Sequence, residues 1–482
     1  MKPRHIVYII WTVIALLGVV CLVVPDGGWH IGTWNLRFPT LAEALDLDMQ
    51  KEESGILNDS LLAELDTMDQ LPMDSLVQLD TTSTIDTPQQ KTPLAIPEVG
   101  VANTDLRAYL AAFYAALDSA SSMPVRVVHY GDSQIEEDRI TNVLRERWQQ
   151  QYGGGGVGLI PLHQTIPTRT IRQWLSINGV VQTAQKGPKR YLVYGPRSMR
   201  LIDSDDYGVM GQVSVMDSTL VAGSEDIVLN IEPIDKKRKP HNYFNRVRVL
   251  TDSVDGYVLV KDTMLHHATQ SYTMLHYTLP DSCERCELHL QGKGNLYGVS
   301  LETDKGMIVD NIPMRGCSGN IFTKIDSTQL SDFYSETNTR LIILQFGGNM
   351  IPQTENTSTI NGYVRGTLRQ QVRYLRACAP QAAVLFIGPS DMSTRIDGEM
   401  VTYPLVPYMD RLLKKMAEEE QIAYWSMYDA MGGKDSMVRW VENGLAGSDY
   451  VHFTRSGANN IGKKLYHWLM SYSTSDRSQS SL

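Results

Sequence analysis

Residues 125–139 read V-R-V-V-H-Y-G-D-S-Q-I-E-E-D-R, and this stretch restricts what the chain can fold into more than any other. Apolar side chains at Val125, Val127, Val128 and Tyr130 make a short strand. It stops at Gly131-Asp132-Ser133, and a helix-like segment follows from about residue 138 to 151. In an open α/β sheet, ligands bind at the carboxyl ends of the strands. A side chain at such an end lies near the positive pole of the next helix, where an oxyanion is favoured. Ser133 therefore has two readings: a nucleophile at the sheet edge, or a helix N-cap.

Two further strand ends bear on that choice. Residues 341–349, L-I-I-L-Q-F-G-G-N, read as a buried strand closing on Gly347, Gly348 and Asn349, whose amide hydrogens can serve an oxyanion. Near the C-terminus stands Asp449-Tyr450-Val451-His452, just ahead of a helix-like run over 456–472. A serine nucleophile needs a general base, and the base needs an orienting carboxylate. A D-x-x-H turn supplies both.

With these residues in place the chain resembles the SGNH (GDSL-type) hydrolases: Gly131-Asp132-Ser133 is like their first block, Gly347-Gly348-Asn349 like the third and Asp449-x-x-His452 like the fifth. The second block, a glycine whose N–H completes the oxyanion hole, best matches Gly316 in N-I-P-M-R-G-C-S-G. Gln134 stands where relatives often carry Leu or His, and Met350 where many carry Asp; these departures bear on subfamily. The resemblance implies a flavodoxin-like, three-layer α/β domain with a parallel sheet. It also implies catalytic Ser133, Asp449 and His452, and an oxyanion hole of Ser133, Gly316 and Asn349. Gln134, Gly155 and Gly348 are further candidates for substrate contact, and no metal or cofactor is called for.

The N-terminal part is of another kind. Lys2, Arg4 and His5 precede an apolar run from Ile6 to Pro25, about 20 residues and long enough to span a bilayer as a helix. Its end, C-L-V-V-P-D, is a poor cleavage site, so residues 1–26 read as an uncleaved signal anchor. Positive charge keeps its start in the cytoplasm. The expected location is a bacterial inner membrane, single-pass, with the remainder in the periplasm or outside. Residues 27–102 read as a juxtamembrane segment, with Trp29 and Trp34 at the interface, and then an acidic flexible tether. The net charge of −10 argues against a nucleic-acid partner.

The SGNH region then divides as 103–173 and 306–472, with a polar, disordered tail at 473–482. Between the two parts, residues 174–305 read as an inserted β-sandwich, because short alternating segments are separated by Gly, Asp, Ser and Pro. Its Tyr243, Phe244, Tyr257, Tyr272 and Tyr277 are core residues or sugar-stacking platforms. The glycine run over 153–158 lacks the Lys-Ser/Thr of a phosphate loop, and reads as a tight loop lining the site. Cys283-Glu284-Arg285-Cys286 cannot alone fill a four-ligand zinc site; it reads as a disulfide clip or as two thiols.

This layout resembles the peptidoglycan O-acetylesterases, exported SGNH enzymes interrupted by a carbohydrate-binding-module-like sandwich. The implied activity is removal of O-acetyl groups from a cell-wall or surface polysaccharide through an acetyl-serine. Two alternatives stand beside it. One is a polysaccharide O-acetyltransferase working with a membrane acyltransferase partner; the other is a glycan-binding protein.

Overall fold

The computed structural model describes residues 29–31, 34–36 and 106–473, except 178, 182–187, 217–226, 236, 238, 261–262 and 266–271. The expected signal anchor, most of the tether and residues 474–482 lie outside the described residues. Within the N-terminal unit, Trp29–Ile31 and Trp34–Leu36 pair antiparallel. Among the described residues no helix is long and apolar enough to cross a membrane.

In the second unit, five parallel strands form one sheet, in the order Gly306–Pro313, Pro124–Gly131, Thr339–Gln345, Ala383–Ile387 and Ala423–Trp425. Numbered along the chain this is 2-1-3-4-5, a doubly wound order in which the carboxyl ends of strands 1 and 3 meet at a switch point. The strands are nearly continuous apolar runs because both faces are covered. Side chains alternate between the faces with a period of two. Val128, Ile342 and Phe386 enter one core with Phe333, Leu375 and Met409. Val127, Ile343 and Leu385 enter the other with Leu110, Trp148 and Leu465. Leu368, Val372 and Leu375 form a buried row on the helical segment 357–378, which a π-helical turn, Tyr363–Leu368, interrupts.

The crossover from strand 1 to strand 2 carries a large antiparallel sheet. Its strand Cys286–Glu302 pairs along one side with Phe244–Val260, and along the other with Ile227–Pro233, Gln212–Met216 and Gly158–Ile160 in turn. Segments 246–250 and 257–260, which read as separate short strands, belong to one 17-residue strand, Phe244–Val260, and segments 286–291 and 295–302 belong to a second, Cys286–Glu302. The Asp and Gly residues between them, which mimic turns in sequence, sit at register shifts in the ladder. All these strands belong to one connected sheet, which begins at Gly158–Ile160, ahead of residue 174. Phe244 lies in its core, Tyr277 packs against that core, and Tyr272 packs on Tyr297 at 5.3 Å between ring centroids.

A buried ion network ties the two sheets together. Arg126, on the first parallel strand, donates from Nη1 to both oxygens of Asp310 at 2.7 Å and pairs through Nη2 with Glu302. Arg248 Nε reaches Glu302 at 2.5 Å, and Asp310 accepts from the Leu159 N–H at 2.8 Å. Desolvation opposes the charge on Glu302, yet Arg126 and Arg248 hold its carboxyl below the ordinary value. Its contribution to stability is therefore complete above the ordinary glutamate value and is lost as pH falls through the lower, folded-state one. Removing one partner of a buried ion pair strands the others without compensation. Arg126→Ala is expected to cost about 3–5 kcal/mol, read from urea unfolding; an unchanged midpoint would show that the network contributes nothing.

Candidate active site

In the turn after strand 1 the capping role offered for Ser133 falls to its neighbour. Asp132, not Ser133, caps the short 3-10 turn Ser133–Asp138, its Oδ1 accepting from the Gln134 N–H at 3.0 Å. The serine hydroxyl is left free to turn elsewhere, and its Oγ lies 2.8 Å from His452 Nε2. The following helix starts at Thr141, later than expected, because Glu137 and Asp138 take positive φ, +59° and +62°. That strained backbone is held by ion pairs: Glu137 with Arg139 and Arg169, and Asp138 with Arg145.

His452 is positioned by its own turn. Asp449 Oδ1 accepts from the Val451 and His452 backbone N–H groups at 3.0 Å each, and Oδ2 lies 2.7 Å from His452 Nδ1. Desolvation would raise the Asp449 carboxyl, but the hydrogen bonds from His452 and Val451 outweigh it and hold the value below the ordinary one. Gln134 connects this turn to the serine: its Nε2 donates to Val451 O at 2.6 Å and to Ser390 Oγ at 3.1 Å. Ser133, His452 and Asp449 thus form a continuous hydrogen-bonded triad.

The neighbouring strand ends close around it. Gly347, at φ +120°, adopts backbone that favours glycine and turns the chain after strand 3. Asn349 Nδ2 then donates to Cys317 O at 3.0 Å and makes a longer contact of 3.3 Å to Asp132 Oδ2. After strand 2, Met314 N–H donates to Gly131 O at 2.8 Å, which sets the loop of Gly316 beside the serine turn. Gly316 sits at φ +71° and a Cβ there would meet nothing within 4 Å, so its glycine is required by conformation, not space. Burial pushes the Asp132 carboxyl up to about 6, against the pull of the Gln134 N–H and of His452.

Ser133, Gln134, Gly348 and Asn349 line one cleft of about 80 Å³ with Pro389 and Ser390. Gly155 is not brought to it. This corrects the expectation for the glycine loop: the Cα of Gly155 packs against the backbone carbonyls of Tyr243 and Pro240, where no side chain fits. Sequence reasoning misses Pro389 and Ser390 as site residues, although they end a parallel strand and the strand-end rule marks them. If the Asn349 amide stabilises an oxyanion, Asn349→Ala lowers kcat about 10²–10³-fold while the fold survives. Aryl-acetate kinetics with circular dichroism check this, and full activity or an unfolded spectrum would contradict it.

No protein-family model matches the chain, and no curated protein matches its sequence. Solved structures do. A peptidoglycan O-acetylesterase matches at a TM-score of 0.61 and 19% identity, over 76% of this chain and 96% of that one. An acetyl xylan esterase matches 34% of this chain and 81% of its own at 13% identity and a TM-score of 0.27. A family two carbohydrate esterase from Clostridium thermocellum, in complex with cellohexaose, matches 52% and 92% at 11% identity and a TM-score of 0.24. The last two overlap too little to carry weight. With its 2-1-3-4-5 parallel sheet and its match across most of the esterase structure, this chain has the SGNH hydrolase fold.

Proposed function

We propose that the protein is a serine esterase that removes O-acetyl groups from a cell-wall or surface polysaccharide. The observation that carries this reading is the unbroken path from Ser133 Oγ through His452 to Asp449. In the proposed cycle His452 Nε2 takes the Ser133 proton as Oγ attacks the acetyl carbonyl. Asp449 keeps the other ring nitrogen protonated and stabilises the imidazolium that forms. The Ser133 and Gly316 N–H groups and the Asn349 amide stabilise the oxyanion, with the bond to the incoming oxygen replacing the long contact to Asp132. As the C–O bond to the sugar breaks, His452 gives the proton to the departing sugar oxygen, which leaves as the alcohol, and water then hydrolyses the acetyl-serine by the same steps.

The polysaccharide substrate is supported by the small volume of the cleft, which suits an acetyl group, and by the fold shared with a peptidoglycan O-acetylesterase. In this reading the antiparallel sheet is a β-sandwich-like, glycan-binding wall. The apolar run at residues 6–25 anchors the chain in a bacterial inner membrane, with the site in the periplasm or outside. That anchor also favours a second reading, acetyl transfer from a membrane acyltransferase to a polysaccharide through the same serine. Rapid quenching with aryl acetate, followed by peptide mass analysis, tests the shared step. One acetyl group on the Ser133 peptide is expected, and its absence during turnover would overturn the covalent mechanism. Adding an unacetylated glycan then separates the two readings: acetylated glycan marks transfer, and acetate alone marks hydrolysis.

A further inference from the structure

A second cavity, of about 320 Å³, lies between the serine turn and the antiparallel sheet. Glu136 and Arg315 line one side; Arg190, Tyr194 and His163 line the other. It shares no lining residue with the cleft of Ser133, but two of its residues are neighbours in sequence of the site. Glu136 is three residues from Ser133, which bounds their Cα separation at about 11 Å, and Arg315 immediately precedes Gly316.

Its charges are unequally satisfied. Arg315 makes two bonds to Glu136, at 2.7 and 2.6 Å, and Arg145 is paired with Asp138. Glu137 is taken by Arg139 and Arg169. Arg190 is the arginine of this cavity with no acidic partner among the described residues. Its Nε donates to Gln212 Oε1 at 2.8 Å, but Nη1 and Nη2 reach only Thr165 Oγ1 and Tyr194 OH, each at 3.5 Å. Beside it His163 is 7% exposed, and its buried Nδ1 has no hydrogen-bond partner. A guanidinium with two weakly engaged N–H ends, two hydroxyls and an imidazole line a cavity whose other walls include the apolar Val157, Leu159, Ile166 and Met210 and the arginine-paired carboxylates of Glu136, Glu137 and Asp138. Such a set suits a monoanion on an apolar carbon skeleton, because guanidinium and carboxylate match in charge and fork geometry.

We propose that this cavity binds a carboxylate-bearing substituent of the glycan, with Arg190 as the specificity-determining residue. The inference rests on the esterase reading above. It implies that the enzyme distinguishes an acidic acetylated sugar from its neutral counterpart, and that the acid group orients the acetyl ester toward Ser133.

The test uses the full chain in detergent with O-acetylated N-acetylmuramic acid oligomers, as free acids and as methyl esters. The acid is expected to be preferred about tenfold or more in kcat/KM, carried by KM, as for loss of a charge-assisted hydrogen bond. Arg190→Gln is expected to bring that ratio to about one, whereas Arg190→Lys, which keeps the charge, retains part of it. Equal turnover of acid and ester by the unaltered chain, or an undiminished ratio in a folded Arg190→Gln, overturns the proposal. If neither oligomer is hydrolysed, the esterase reading has failed on this substrate, but the cavity is still measurable. Calorimetry with the Ser133→Ala chain then expects tighter binding of the acid than the ester, with the difference lost in Ser133→Ala/Arg190→Gln; equal binding overturns the proposal.

Discussion

Ser133→Ala is expected to lower kcat for aryl acetate hydrolysis by at least about 10⁴-fold, with an unchanged circular dichroism spectrum. The residual rate reflects only what the oxyanion donors and binding still supply. The fold should survive because the serine hydroxyl caps nothing: Asp132 holds the turn, and Gln134 ties it to Val451. A Ser133→Ala chain retaining substantial activity would place the nucleophile elsewhere and leave the 2.8 Å contact with His452 as mere packing.

Asp449→Asn is expected to have the next largest effect, about 10⁴-fold in kcat. The substituted amide can donate to Nδ1, which favours the proton on Nε2 and removes the acceptor that Ser133 needs. Asp449 has a second duty, accepting two backbone N–H groups of its own turn, and the asparagine oxygen can keep those bonds. Loss of activity without loss of structure would therefore isolate its electrostatic and tautomeric role. Because the members of a triad act as one unit, Ser133→Ala/Asp449→Asn should be scarcely slower than Ser133→Ala alone. Multiplying losses in the double variant would mean that the residues act independently. The hydrogen bonds that hold the Asp449 carboxyl below its ordinary value keep it ionised as pH falls. Asp132, at about 6, takes up its proton first.

The site is readable in sequence where its chemistry sits on short linear motifs at strand ends. Ser133, Asn349 and the Asp449-x-x-His452 turn each follow an apolar run or precede a helix, so local pattern marks them and the sheet order brings them together. What is built from distant partners is not readable. Arg315 and Glu136 are 179 residues apart, and Arg126 is 176 from Glu302, so no local spacing reports either pair. Gly155 shows a different limit. A glycine run signals close approach to something, but the same signal arises whether that something is a ligand or, as here, the carbonyls of Tyr243 and Pro240. The long antiparallel strands read as shorter pieces because the glycines and aspartates at their irregularities carry the composition of turns. Arg190 gives no signal, since what sets it apart is the acidic partner it lacks in space among the described residues.

Acetate release from O-acetylated peptidoglycan by the full chain, measured beside Ser133→Ala, tests the central claim most directly. Serine-dependent release is the result expected of a polysaccharide O-acetylesterase. Serine-dependent hydrolysis of aryl acetate with no acetate released from the wall polymer would contradict the peptidoglycan-like substrate and leave the triad with another acceptor.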